Sequence, residues 1–79
     1  MVGKRVIIYS KDTCYYCTKA KKFLEELGVE YTEINVNQHP KAYKEIRSKT
    51  GTKGVPQLVI GEETVVGFNP DLIREKLEG

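Results

Sequence analysis

Two cysteines separated by two residues are the groups in this sequence best able to do chemistry. Cys14 and Cys17 are the only cysteines among the 79 residues. A bridge between them would close a loop too short to constrain much of the unfolded chain, so it would add little as a structural staple. The pair is therefore better explained as a reversible dithiol/disulfide than as a structural cross-link.

The two cysteines should have different roles because they occupy different places on a predicted helix. Cys14 falls at the helix N-terminus, where unpaired backbone N–H groups and the helix dipole stabilise an anion, and Lys11 adds positive charge nearby. A cysteine so placed has a pKa below the ordinary value of about 8.5. Cys17 falls on the apolar face with Ala20, Leu24 and Leu27. We expect Cys14 to be the nucleophile, and a buried Cys17 to resolve its mixed disulfide.

The hydrophobic pattern predicts one α/β domain over residues 1–79, in the order β-α-β-α-β-β-α. The strands are predicted at 4–9, 30–36, 57–60 and 64–66, and the helices at 14–27, 40–50 and from residue 70 onward. Thr13 is the predicted N-cap of the first helix, and Gly28 and Gly51 end the first two helices. The first βαβ unit should be parallel and right-handed, and the last two strands an antiparallel hairpin. A mixed four-stranded sheet flanked by three helices, on both faces, buries all the apolar stripes.

The net charge and the distribution of lysines argue against a nucleic-acid-binding function. The net charge of +2 is too small for a nucleic-acid-binding surface. Three lysines follow Cys17, but acidic residues follow them at helical spacing, so this segment is interpreted as a solvated helix face; the residues are Lys19, Lys21, Lys22, Glu25 and Glu26.

No segment of the sequence suggests a membrane or export signal. The apolar run near the N-terminus has about four residues, too few for the core of a signal peptide, and no stretch approaches transmembrane length. We therefore expect a cytoplasmic, monomeric protein that binds neither membranes nor nucleic acid. In that compartment a Cys-x-x-Cys pair is more often catalytic or metal-binding than structural.

Three segments in the right order resemble the glutaredoxin family of the thioredoxin-fold superfamily. The stretch VIIYSKDTCYYC resembles the family's first strand and its Tyr-Ser-Lys-x-x-Cys-Pro-Tyr-Cys motif. TGTKGVPQLVIG resembles the later Gly-x-x-Thr-Val-Pro segment, and VVGFNPDLI occupies the place of the Gly-Gly-x-x-Asp stretch. The resemblance implies the thioredoxin fold and a thiol–disulfide oxidoreductase that acts on protein disulfides or glutathione mixed disulfides.

Three residues depart from the usual glutaredoxin pattern. Tyr15 replaces the proline after the first cysteine, Gly54 replaces a threonine, and Phe68 replaces the second glycine of the Gly-Gly pair. With these changes the chain is similar to the YruB-type glutaredoxin-like proteins of anaerobic bacteria and to the redoxins that serve ribonucleotide reductase. Some members of such groups are reduced by thioredoxin reductase rather than by glutathione, so either is the expected electron donor.

The resemblance assigns further binding residues. Pro56 would be a cis-proline facing the disulfide, and Val55 would offer its backbone N–H and C=O to a thiol peptide, as an added strand does. From the sequence alone, Pro56 also fits an ordinary strand-start proline. Gly67 and Asp71 fall in the segment that meets the γ-glutamyl end of glutathione in the family. There Gly67 has the alternative role of allowing an unusual backbone conformation.

The remaining glutathione contacts implied by the resemblance come from two lysines and a tyrosine. Lys11 and Tyr16 match family positions that meet the tripeptide, and Lys49 lies near the basic position that meets its glycine carboxylate. The alternatives are two solvent-exposed lysines and an aromatic residue without a ligand. Phe68 is either a contact for a partner or part of the core, and the core is favoured.

A metal-binding role remains the alternative function. A tetrahedral site needs about four ligands, and His39 is the only other soft candidate in the chain, so one chain cannot close such a site. A dimer could instead hold a [2Fe–2S] cluster between Cys14 and glutathione of each subunit, and some cluster-binding glutaredoxins also lack the proline that Tyr15 replaces. The leading hypothesis needs no bound cofactor, with glutathione serving only as a possible reductant or substrate.

Overall fold

The strands and helices follow one another in the predicted order. A computed structural model describes residues 4–78. Its elements are β1 (Val6–Ser10), α1 (Tyr15–Glu26), β2 (Thr32–Asn35), α2 (Pro40–Thr50), β3 (Gln57–Ile60), β4 (Glu63–Val66) and α3 (Pro70–Glu78). Within this part of the chain, no helix is both long and apolar enough to cross a membrane.

The four strands form one mixed sheet in the order β2-β1-β3-β4. The central strand β1 pairs in parallel with β2 and antiparallel with β3, which continues into the antiparallel β3–β4 hairpin. Both the parallel βαβ unit and the hairpin are as predicted. The β3 bounds agree with the predicted residues, whereas β1 and β2 are shorter than predicted.

The hydrophobic core joins one face of the sheet to α1 and α3. Its buried members come from three strands and these two helices; they are Val6, Ile8, Ala20, Leu24, Leu58, Ile60, Val65, Ile73 and Leu77. Helix α2 buries Ile46 outside this cluster, so the three helices flank the sheet on both faces. Each large apolar side chain buried here contributes about 1.5–3 kcal/mol, which holds α1 firmly against the sheet.

The start of α1 differs from the prediction. Thr13 is not the N-cap; it adopts a left-handed backbone conformation with φ of 51°. Cys14 is the N-cap, and its Sγ accepts the backbone N–H of Cys17 at 3.2 Å. The reason is that Thr13 is the last residue of a tight turn, so Cys14 is the residue that leads directly into the helix.

The end of α1 follows the predicted glycine. Gly28 has φ of +72° and donates its N–H to Glu25 O, while Val29 donates to Leu24 O, the pair of bonds that defines a Schellman motif. Leu27 was expected on the apolar face, but it is 40% exposed because the helix ends at Glu26 and Leu27 already serves as the C-cap.

The lysine-rich face of α1 is exposed at Lys19 and Lys22, as predicted, whereas Lys21 is half-buried and forms an ion pair. The Lys21 ammonium lies 2.9 Å from Glu33 Oε2 on β2, so its partner is on a neighbouring strand rather than on the same helix. Ser10, which is buried at the end of β1, donates its hydroxyl to the same oxygen at 2.6 Å. The hydrogen bond from Ser10, followed by Lys21, lowers the pKa of Glu33.

The lowered pKa of Glu33 makes part of the stability dependent on pH. Ionised Glu33 stabilises the fold above its ordinary pKa of 4.5, and this contribution is lost as the pH falls through the lower value in the folded protein. We expect Glu33→Gln to destabilise the protein at pH 7 by up to about 1 kcal/mol, because the ion pair is partly exposed. The difference should shrink below pH 4.5 in thermal unfolding measured by circular dichroism.

Glu62→Gln is the matched control for this experiment. Glu62 is an exposed carboxylate in the β3–β4 turn, and its side chain makes none of the ion pairs found within residues 4–78. Its replacement should leave the pH dependence unchanged. A Glu33→Gln effect of the same size at all pH values would contradict the role given to the Glu33 charge.

Candidate active site

Four strand ends meet at one edge of the sheet. The register places Ser10 beside Asn35, and Gln57 beside both Val66 and the residue before Ser10. The connecting segments that leave or enter at these residues therefore lie together. One of them carries Cys14 into α1.

Cys14 and Cys17 form a disulfide in this structure, with Cα atoms 5.2 Å apart. Cys14 is half-buried at the N-cap, whereas Cys17 is only 2% exposed and belongs to the buried face of α1. The backbone N–H of Cys17 points at the Cys14 sulfur, and a hydrogen bond of this kind favours a negative charge on that atom. The predicted burial of Cys17 is confirmed, and Cys14 is the more exposed of the two cysteines.

Asparagines from the end of β2 hold the loop before Cys14. Asn35 donates its amide to Asp12 Oδ1 at 2.8 Å, and Asn37 Oδ1 accepts the backbone N–H of Asp12 at 3.0 Å. Asn35 Oδ1 also accepts the backbone N–H of Asn37 at 2.9 Å. The sequence analysis missed these residues; the available signal was one asparagine at the end of a strand parallel to β1 and a second one two residues later.

The peptide bond between Val55 and Pro56 is cis, as the resemblance implied. Pro56 is buried directly before β3, and its carbonyl accepts the backbone N–H of Gly67 at 2.8 Å. Gly67 has φ of +85°, a conformation that glycine adopts without a steric penalty. The structure thus brings together Val55, Pro56 and Gly67, at the edge of the sheet where β1 leads to Cys14.

The other residues that were predicted to bind glutathione are exposed. Lys11 lies in the loop before Cys14, and Tyr16, 58% exposed, lies in the first turn of α1 against the edge of the Tyr15 ring. Lys49 lies in the last turn of α2 and Asp71 in the first turn of α3. Among residues 4–78, no hydrogen bond or ion pair joins the Lys49 or Asp71 side chain to the cysteine pair.

Phe68 packs against the core rather than standing free at the surface. Its ring contacts Phe23 of α1 edge to face, with centroids 5.9 Å apart, and it lies against the buried core cluster. The favoured interpretation of Phe68 as a core residue agrees with this position. Phe68 therefore ties the segment after β4 to the helix that carries Cys17.

The arrangement of side chains offers no resident metal site in the described part of the chain. Within residues 4–78, no three His, Cys, Asp or Glu side chains lie close enough together to hold a metal ion. His39, the soft ligand considered from the sequence, is exposed at the start of α2. The group at the sheet edge that can do chemistry is the Cys14–Cys17 disulfide.

Comparison with known families gives one consistent result. The family model for glutaredoxin matches residues 6–65. A glutaredoxin of Neisseria meningitidis serogroup A is 43% identical over 75 residues, which cover 94% of this chain and 87% of the relative. No finding from these comparisons supports the iron–sulfur alternative.

Solved structures of similar proteins share the fold of this chain. A glutaredoxin from Archaeoglobus fulgidus superposes with a TM-score of 0.87 at 27% identity, covering 98% of this chain and 89% of the other. The glutaredoxin-like NrdH-redoxin from Escherichia coli gives 0.84 at 31% identity, covering 90% and 92%; its structure is described as explaining a thioredoxin-like activity profile.

The asparagine contacts predict a measurable effect on the loop before Cys14. Asn35→Ala removes the bonds to Asp12 and Asn37, which should lower the free energy of unfolding by about 1–2 kcal/mol. The exchange of the Asp12 and Thr13 amide hydrogens should also become faster. Urea unfolding and hydrogen exchange read by mass spectrometry measure these two changes.

Gln38→Ala is the control, since the Gln38 side chain is exposed and forms none of the side-chain hydrogen bonds found in residues 4–78. This variant should behave as the wild type. If Asn35→Ala and Gln38→Ala gave equal results, the asparagine contacts would not hold the loop.

Proposed function

Because this chain belongs to the glutaredoxin family, whose members are thiol–disulfide oxidoreductases, we propose that Cys14 is its attacking cysteine and Cys17 its resolving cysteine. The observation that carries the assignment is the asymmetry of the pair. Cys14 is only half-buried and its sulfur accepts an N–H at the start of α1, while Cys17 is buried on the core face of the same helix.

The proposed reaction transfers two electrons in two exchanges. The Cys14 thiolate attacks one sulfur of a substrate disulfide, forms a mixed disulfide with it, and releases the other sulfur as a thiolate that takes a proton from solvent. The Cys17 thiol then loses its proton and attacks the Cys14 sulfur. This step forms the Cys14–Cys17 disulfide and releases the second substrate thiol. An external reductant returns the pair to the dithiol.

Substrate recognition is assigned to the backbone beside the cysteines. Val55 would pair with the peptide around a substrate sulfur through its N–H and C=O, in the manner of an added strand. Pro56 and Gly67 would shape the wall of this site. The bond between Gly67 N and Pro56 O supports the assignment, because it joins the two segments that would lie beside the substrate.

Glutathione is proposed as one of the substrates, held by residues around the same edge. Lys11 and Lys49 would meet its carboxylate, Tyr16 would line the cleft, and Asp71 with Gly67 would meet its γ-glutamyl end. The exposure of the four side chains supports this proposal. Phe68 replaces the second glycine of the family's Gly-Gly pair, and its ring packs against the core. The γ-glutamyl end of glutathione is therefore expected to bind more weakly than in relatives with a Gly-Gly pair.

The partners follow from the same chemistry. We propose that residues 1–79 form a single domain that works as a cytoplasmic monomer without a bound cofactor. Its substrates would be proteins with accessible disulfides, and its electron donor would be thioredoxin reductase or glutathione. The thioredoxin-like activity profile of the similar Escherichia coli NrdH-redoxin supports including thioredoxin reductase.

Serine variants of the two cysteines test their roles. Cys14→Ser should abolish reduction of protein disulfides, because it removes the attacking sulfur. Cys17→Ser should instead accumulate a mixed disulfide on Cys14, because the resolving step is blocked. Mass spectrometry of the reaction with a disulfide peptide would detect that adduct. Full activity in Cys14→Ser, or no adduct with Cys17→Ser, would contradict the assignment.

The electron donor is tested by reducing the oxidised protein in two coupled assays. NADPH consumption would be followed with thioredoxin reductase, and separately with glutathione plus glutathione reductase. We expect the thioredoxin reductase assay to be the faster of the two, because Phe68 replaces a glycine in the segment that would meet the γ-glutamyl end of glutathione. A faster glutathione assay would show that the tripeptide site is intact despite Phe68.

A further inference from the structure

We propose that Gln57 and Tyr43 are positioning residues for substrate, and that they act by fixing the direction of the Val55 backbone N–H. The inference deepens the proposed function, because it rests on Val55 being the segment that pairs with a substrate peptide. Neither side chain is placed to touch the reacting sulfurs. Both hold the loop that connects α2 to Pro56.

Gln57 is a fully buried polar residue at the first position of β3. Its side chain has no exposed surface, and its amide nitrogen donates two hydrogen bonds back into the loop, to Thr52 O at 3.1 Å and to Gly54 O at 2.8 Å. A buried amide group is costly unless it is hydrogen-bonded, and these two bonds satisfy the amide nitrogen. The amide oxygen, Oε1, is buried without a hydrogen-bond partner among residues 4–78.

The bond to Gly54 O bears directly on Val55. The carbonyl of Gly54 and the N–H of Val55 belong to one planar peptide unit, so fixing the oxygen also fixes the direction of the N–H. In a trans peptide the two groups point in opposite directions. Gln57 therefore holds the Gly54 carbonyl so that it points toward the Gln57 side chain. The Val55 N–H consequently points away from that side chain. No backbone hydrogen bond found within residues 4–78 uses this N–H.

Tyr43 holds the carbonyl that lies between the two bound by Gln57. Its hydroxyl donates to Lys53 O at 2.8 Å, from the first half of α2. The Arg47 guanidinium lies 4.6 Å from the centre of the Tyr43 ring, which keeps the tyrosine on the helix face that meets the loop. Three consecutive carbonyls of the loop are thus held by side chains from two different elements.

This arrangement predicts an effect on substrates that is selective by size. A peptide disulfide that pairs with Val55 gains from a backbone that is already oriented, because less freedom is lost on binding. A small disulfide without a peptide backbone makes no such pairing. Loosening the loop should therefore weaken peptide binding while leaving the intrinsic reactivity of Cys14 unchanged.

The test compares Gln57→Met and Tyr43→Phe with the wild type. Met keeps the length and approximate volume of Gln57 but removes both donors, and Phe removes only the hydroxyl of Tyr43. Tyr9→Phe is the matched control; Tyr9 is a half-buried tyrosine of β1 whose hydroxyl forms none of the side-chain hydrogen bonds found in residues 4–78. Thermal unfolding would confirm that every variant is folded at the assay temperature.

The measurement is a single turnover of the pre-reduced protein, which needs no reductase. The rate of oxidation by an excess of a fluorogenic peptide disulfide would be followed over a range of peptide concentrations. We expect the half-saturating concentration to rise about tenfold for Gln57→Met and about threefold for Tyr43→Phe, since each lost hydrogen bond is worth a few-fold in affinity. The maximal rate, the rate with bis(2-hydroxyethyl) disulfide and the alkylation of Cys14 by iodoacetamide should stay within twofold.

Several outcomes would overturn the inference. Wild-type half-saturation in both variants would show that the loop contacts do not serve binding. An equal loss with peptide and small disulfide would place the effect at Cys14 instead. Should Gln57→Met prove unfolded at the assay temperature, Tyr43→Phe decides the question. A wild-type protein that oxidised with neither disulfide would refute the proposed function itself, which separates that failure from this one.

Discussion

The parallel pairing of β1 with β2 is the constraint on which the site depends. Parallel neighbours cannot be joined by a tight turn, so the chain must cross over the sheet between them, and α1 is that crossover. The crossover helix has to start at the carboxyl end of β1, next to the carboxyl end of β2. Cys14 therefore lies at an unpaired helix N-terminus, and the loop before it meets the residues that end β2.

The same crossover accounts for the unequal environments of the two cysteines. Helix α1 packs on the sheet through Ala20 and Leu24, and Cys17 lies one turn earlier on that buried face. Cys14, three residues before it, is at the open end of the helix and stays accessible. The packing that buries the core thus also sets which sulfur is buried, and in the proposed reaction this makes Cys14 the sulfur that meets a substrate first.

The sequence was sufficient wherever structure is determined by local patterns. Pro40 and Gly51 bounded α2, and the β3 strand lay where its apolar run placed it, because helix starts, helix stops and strand periodicity are properties of neighbouring residues. The prediction that Leu27 lies on the apolar face of α1 was wrong, because the helix ends one residue earlier, at Glu26. Apolar spacing alone does not show that a helix has already ended. The cysteine pair itself was predictable because its spacing carries the chemistry.

The residues that hold the site were not predictable in the same way, and the reason is physical. Lys21 could have paired with glutamates on its own helix, and only the folded sheet places Glu33 closer. Asn35 binds a residue 23 positions away, and the partners of Gln57 become apparent only when the loop folds back on β3. Contacts of this kind depend on the tertiary arrangement and leave no periodic signal in the sequence.

Amide side chains, rather than ion pairs, make the closest contacts to the two loops of the site. Asn35 and Asn37 hold the segment before Cys14, and Gln57 holds the segment before Pro56. Amides do not titrate in the physiological range, so these contacts keep their strength while the cysteines gain and lose protons. The charged pair of Lys21 and Glu33 hydrogen-bonds to neither of these two loops, and its pH dependence acts on the stability of the fold. The structure thereby separates the groups whose charge must change during the reaction from those that must keep the site in place.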